Sequence, residues 1–176
     1  MRKLSTILLL LFCTLVAQAQ IAPWTPFAVD NAVVLRVPGR PQPVPDAAHY
    51  APGTPASQVR GYRYSDAAGT YIILRQEKPM DKMYAVDSDH EFYSTAIDQM
   101  MHDTRGTLIE EAILVNGPST AACAHYTVPG GGPRYMGILL VHRVSYQFQY
   151  MPNKGVTKDQ DAKLWAQFLK SVASIK

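Results

Sequence analysis

Cysteine is scarce in this chain of 176 residues: there are two, Cys13 and Cys123. The first falls in an opening segment with the marks of an export signal. Arg2 and Lys3 form a positive start, Leu4 to Val16 is an almost unbroken apolar run, and Ala17-Gln18-Ala19 has the small-x-small form that a signal peptidase reads. Residues 1–19 are therefore expected to be a signal peptide cleaved near Ala19, with the product periplasmic or extracellular. The bulky Phe12 before Cys13 does not suit a lipid-modified cysteine. With only Cys123 left, no internal disulfide can form, although export would permit one.

A long hydrophobic run is also missing from the rest of the chain. The signal's apolar stretch is shorter than the roughly 20 residues a spanning helix needs, and no later segment approaches that length, so no stable membrane span is expected. Charge of one sign is lacking too. The 17 Lys+Arg and 14 Asp+Glu give +3, but two of the basic residues lie in the signal, leaving 15 against 14. That near-neutral balance gives no reason to expect nucleic acid or an anionic membrane as partner. Removing 19 residues from 176 leaves 157, one ordinary domain with a core large enough to stand without staples.

Proline is abundant but confined. Pro23, Pro26, Pro38, Pro41, Pro43, Pro45, Pro52 and Pro55 crowd residues 20–55, where each removes a backbone donor and fixes φ. That segment is expected to carry one strand of any length, Ala32 to Val37, with extended loop around it; residues 56–176 complete the domain. Strand-like runs at Gln58 to Tyr64 and Thr70 to Gln76 flank the turn formers of Ser65-Asp-Ala-Ala-Gly69 and predict a hairpin. In the first run Arg60, Tyr62 and Tyr64 share one face. Tyr71-Ile-Ile-Leu74 is apolar on both faces, as a central strand should be. Ser88-Asp-His-Glu91 fits a capping box that opens a helix, and Gly106 is expected to supply its left-handed end.

Four strands follow, Thr107 to Val115, Thr120 to Val128, Arg134 to Val141 and Val144 to Met151, separated by turn signals as in an antiparallel meander. The last alternates cleanly, with Val144, Tyr146, Phe148 and Tyr150 on one face. Thr157 with Gln160 makes a second capping box, and Leu164, Trp165, Phe168, Val172 and Ile175 form the apolar stripe of a closing helix. The order predicts an α+β layered sandwich: an antiparallel sheet of about six to seven strands covered by two main helices.

This layout resembles the family of PsbP-like proteins, which share the fold of the extrinsic subunit P of photosystem II. The matching pieces are Val34-Leu-Arg-Val-Pro-Gly39, Gly61-Tyr-Arg-Tyr64, a helix leading through Gly106 to Val115-Asn-Gly117, Tyr146-Gln-Phe-Gln-Tyr150, and Trp165-Ala-Gln-Phe-Leu-Lys-Ser171 with its Phe-x-x-Ser ending. The resemblance implies an antiparallel sheet between helices and a role in binding or assembly rather than catalysis. No segment matches the partner-binding regions of the photosynthetic subunit, so that specific role is not carried over.

Chemistry-bearing residues are sparse. Cys123 and His125 share a strand face and could serve a small secreted hydrolase or thiol enzyme, but a nucleophilic cysteine needs a base and an orienting group, and core packing is the favoured reading of Cys123. Asp87, Asp89 and His90 are weak metal candidates whose spacing is not an EF-hand loop, and acidic side chains at a helix start are explained by the helix dipole. Gly130-Gly-Gly132 lacks the Lys-Ser/Thr and the helix of a phosphate loop and reads as a hairpin connection. His49, His90, His102 and His142 are scattered and form no ligand or catalytic pattern. Ten tyrosines are more suggestive. Arg60, Tyr62, Tyr64, Tyr146 and Tyr150 are the candidates for an aromatic binding surface, against the plain reading that aromatics suit strands.

The residues together favour an exported, monomeric binding or assembly module without a cofactor, whose partner is a protein or small ligand. A small secreted enzyme is the alternative. A third reading, a carrier of an apolar ligand between sheet and helix, would require a large internal cavity.

Overall fold

The computed structural model describes residues 24–47, 55–77, 89–116, 119–141, 144–153 and 155–173. Residues 1–19, Ser88 of the first capping box, Asp87, His49 and His142 lie outside them. Strands β3 (Gln42–Val44), β4 (Val59–Ser65), β5 (Gly69–Glu77), β6 (Thr107–Asn116), β7 (Ser119–Thr127), β8 (Pro133–Val141) and β9 (Val144–Pro152) form one sheet in the order β3-β4-β5-β9-β8-β7-β6. Every neighbouring pair is antiparallel. Strands β1 (Thr25–Ala28) and β2 (Val34–Val37) make a separate two-stranded ribbon. Among the described residues two α-helices, α1 (Asp89–Thr104) and α2 (Lys158–Ala173), and a 3-10 turn at Ala56–Gln58 accompany the sheets, giving the expected α+β sandwich.

The hairpin, the central position of β5 and the meander from β6 to β9 are as the residue pattern requires. Two local expectations need correction. The proline-rich segment holds two short strands besides β2, because Pro26 and Pro43 sit in β1 and β3, each at the edge of its sheet where a missing backbone donor need not break a ladder. At the end of α1 the left-handed residue is Arg105, with φ of 52°, and Gly106 follows it, donating its amide to the Met101 carbonyl at 2.8 Å. Space is what Gly106 supplies. A Cβ there would lie 3.0 Å from the Tyr126 ring and 2.9 Å from the Thr104 hydroxyl.

Each face of the sheet has its own cover. The α1 face buries Ala122, Ala124, Tyr126, Met136 and Ile138 against Tyr93 and Ile97. The opposite face carries Tyr71, Ile73, Cys123, Tyr135, Tyr146, Phe148 and Tyr150, packed against α2 and the β1–β2 ribbon through Trp24, Leu35, Val37, Trp165 and Phe168. On α2 the positions Leu164, Trp165, Phe168 and Val172 form the predicted stripe, and burying each contributes about 1.5–3 kcal/mol. Its capping box is complete: the Gln160 amide donates to the Thr157 hydroxyl at 3.3 Å, and the Thr157 amide to Gln160 Oε1 at 2.9 Å.

Three of the quoted sequence pieces meet in this layer. The Ser171 hydroxyl donates to the Arg36 carbonyl at 2.6 Å, joining the Phe-x-x-Ser ending to β2. Gly39 lies directly under Tyr64, so close that a Cβ would be 2.1 Å from the ring.

Candidate functional site

All five aromatic-surface candidates point to the α2 side of the sheet, as their alternation predicts. The register builds a cross-strand row, Tyr64, Tyr71, Tyr150, Tyr135, His125 and Glu110, running from β4 to β6. Most of that row is interior. Tyr146 and Tyr150 are 1% and 2% exposed, which corrects the expectation that they line an open surface. The cause is the β1–β2 ribbon: Trp24 lies edge-on to Tyr150 at 5.3 Å, and Asp30 accepts the Tyr146 hydroxyl at 2.7 Å. Tyr62 packs edge-on to Phe27 at 5.2 Å, and Tyr64 donates to Asp66 at 2.9 Å. Of the five, only Arg60 is exposed.

Around Asp30 the structure assembles a polar clamp. Oδ2 accepts Arg75 Nε at 2.7 Å as well as Tyr146, while Oδ1 accepts the amides of Ala32 and Val33 at 2.9 and 3.0 Å. Arg75 also donates to Glu77 at 2.8 Å. Burial pushes the Asp30 carboxyl up, but these hydrogen bonds outweigh it and hold the group below its ordinary value. Burial, then the hydrogen bond to Asp30, raises Tyr146 to about 12. The clamp fastens the ribbon to the sheet.

Cys123 and His125 do share a face of β7, yet they form no nucleophile and base. Cys123 is 0% exposed, and burial alone pushes its thiol well above the ordinary range, the opposite of an activated thiolate. His125 lies between the rings of Tyr135 and Trp165, with centroids 5.1 and 5.6 Å away. Its Nε2 comes to 3.1 Å from Asp161 Oδ1 without an aligned hydrogen bond, and the Tyr135 hydroxyl donates to that same oxygen. Burial and this bond raise Tyr135 far above the usual phenol range. The group is a packed polar knot under α2.

No group of three or more potential metal ligands occurs among the described residues. Of Asp89 and His90 only the backbone is described, at the start of α1, and His102 is exposed near its end. The glycine run is the β7–β8 turn, with Gly130 at φ of 69° and the Gly131 amide donating to Val128 at 3.0 Å. The layer between sheet and α2 is filled by Trp24, Tyr71, Trp165 and Phe168, with ring centroids 5.5–6.5 Å apart. At its rim a pocket of about 290 Å³ opens between Trp24, Arg36, Gln167, Lys170 and Ser171. No helix among the described residues is long and apolar enough to cross a membrane.

Sequence reasoning placed a strand at Thr107 to Val115 but missed that this strand, β6, is an exposed edge. Among the described residues the exposed large apolar side chains are Leu108, Ile109, Ile113 and Val115, at 42%, 54%, 46% and 75%, and all four stand on this one strand. It is the sheet's outer strand, ten residues long and free of proline. The other edge, β3, has three residues and a proline, the usual way of blunting an edge. A register shift at Ile109 breaks the β6–β7 ladder, which resumes at Glu110 and runs to Asn116. Glu110 lies opposite His125 and Glu111 opposite Ala124, so the two carboxylates project to opposite faces. Both are exposed, and neither belongs to an ion pair among the described residues. The signal was present as Glu-Glu in the middle of Leu108 to Val115, a charge pair that a fully covered strand would not carry.

No family model matches the chain, and no curated protein matches it in sequence. Among solved structures, the chain is similar to the Ran-binding protein Mog1p of Saccharomyces cerevisiae, at 11% identity over 87% of this chain and 95% of that one, with a TM-score of 0.48. It is also similar to cyanobacterial PsbP (CyanoP) from Synechocystis sp. PCC 6803, at 12% identity over 91% of this chain and 95% of that one, with a TM-score of 0.57. The resemblance in layout is thus a resemblance in three dimensions: the chain has a PsbP-like fold.

Proposed function

We propose that this chain is an exported binding or assembly accessory domain that engages a protein partner through the outer strand β6. One observation carries the reading: among the described residues, the four large apolar side chains left exposed all lie on a long, unblunted sheet edge. Such an edge offers unpaired backbone donors and acceptors beside an apolar surface, the combination that strand-adding interfaces use. The PsbP-like fold supports a binding role by analogy. Residues 1–19 support export, with maturation near Ala19. The thiol-enzyme alternative loses its nucleophile to burial at Cys123.

The test is affinity capture from periplasmic extract with the mature chain and with Val115→Lys. Val115 is 75% exposed, so the substitution leaves the core intact. Wild type is expected to return a specific partner that the variant loses; equal capture by both overturns the role of β6. Intact-mass measurement of the periplasmic product tests export, with a chain starting at Gln20 expected.

A further inference from the structure

We infer that the partner segment at β6 is an extended, basic peptide that adds as a further strand along Glu110 to Asn116. This inference rests on the binding reading above and names the chemistry of what binds. The bulge at Ile109 limits the regular edge, unpaired among the described residues, to the seven residues from Glu110 to Asn116. Along that length alternate backbone groups face away from β7, and an added strand pairs with them. Side chains set the specificity. Ile113 and Val115 stand on the α1 side and call for β-branched or aromatic neighbours. Glu110 and Glu111 stand on opposite faces without a cation partner among the described residues.

An incoming strand would dehydrate both carboxylates, and that costs free energy unless each finds a cation. A strand with adjacent Lys or Arg residues opposite the glutamates supplies one cation to each face, because successive side chains alternate. Around them it needs apolar β-formers. A second copy of this chain answers less well. Paired symmetrically about Ile113, it sets Glu110 opposite Asn116 and Glu111 opposite Val115, so every carboxylate is covered with no cation supplied. The charge pattern therefore favours a basic peptide over self-pairing.

Two fluorescein-labelled peptides test this, Thr-Val-Thr-Val-Lys-Lys-Val-Thr-Val and the same sequence with Glu-Glu in place of Lys-Lys, titrated with the mature chain and read by anisotropy. The Lys peptide is expected to bind about tenfold or more tightly than the Glu peptide, and Glu110→Lys/Glu111→Lys to invert that order. Hydrogen exchange should slow at β6 amides when the Lys peptide is added. Both substituted positions are exposed, and an unchanged thermal melt verifies the variant's fold. Absence of saturable binding up to about 1 mM Lys peptide, or an order that the double variant leaves unchanged, overturns the inference. A dimer in sedimentation velocity that Val115→Lys dissociates also overturns it, in favour of a second copy. Partner capture that depends on Val115 while the peptides fail leaves the binding reading standing and removes only the basic strand; capture independent of Val115 removes the reading itself.

Discussion

Tyr146 donates its hydroxyl to Asp30 Oδ2 across 2.7 Å, joining the last strand of the sheet to the turn between β1 and β2, 116 positions away in sequence. The same carboxylate oxygen takes Arg75. Asp30→Ala leaves both donors without their acceptor and is expected to cost about 2 kcal/mol, lowering Tm by roughly 5 °C. Because the folded carboxyl sits below its unfolded value near about 4, the stability it contributes is complete above that value and is lost as pH falls through the lower folded one. Calorimetry between about pH 2 and pH 6 should therefore show a shallower acid limb in the variant. An acid limb of unchanged slope would mean that the clamp contributes nothing.

Gly137 gives a steric prediction. A Cβ at this position would lie 2.0 Å from Phe148 Cε2, and Phe148 is fully buried. Gly137→Ala should destabilise by about 1–3 kcal/mol through overpacking. Phe148→Leu alone also costs stability, but together the two substitutions should cost clearly less than their sum, because the smaller side chain opens the space the methyl needs. Additive losses in urea unfolding would show that the clash is relieved elsewhere.

Cys123 should be inert while the chain is folded. Its thiol is buried and its ionisation is driven up by that burial alone, so a chromogenic disulfide reagent at about pH 8 is expected to titrate no thiol in a native chain made to start at Gln20, and one in urea. Fast labelling of the native chain would restore the thiol-enzyme alternative.

Ser171 is 1% exposed, and its hydroxyl is the donor to the Arg36 carbonyl. Ser171→Ala is expected to lose about 1 kcal/mol, seen as a lower urea midpoint with an unchanged m value. A fall in m instead would mean that the ribbon separates from the sheet before global unfolding.

How much of this was legible can be seen in particular residues. The period-two alternation of Val144, Tyr146, Phe148 and Tyr150 assigned each side chain to its face, and Thr157 with Gln160 located the start of α2. What alternation cannot report is what covers a face. Tyr146 and Tyr150 looked like surface candidates because the residues that bury them, Trp24 and Asp30, come from a ribbon more than a hundred positions away, inside a segment whose prolines argued for loop. The same limit hid the edge position of β6, though not the strand itself. Its apolar content resembles that of a central strand, and edge position is decided by which strands pair across long separations. Burial of His125 beside Asp161 likewise depends on where α2 lands, which no local pattern encodes.

The pairing of β5 with β9 along their whole length, from Gly69 opposite Pro152 to Glu77 opposite Val144, sets the order in which the chain can fold. That ladder closes a loop of roughly seventy residues and places β9 between β5 and β8, so β3 to β5 have no partner across that gap until β9 exists. On a ribosome, the sheet is complete only after residue 152 has emerged, and the face under Trp165 and Phe168 stays open until α2 follows. The β5–β9 ladder is thus a pairing of long sequence separation, and the nascent domain remains incompletely folded until α2 has been synthesised.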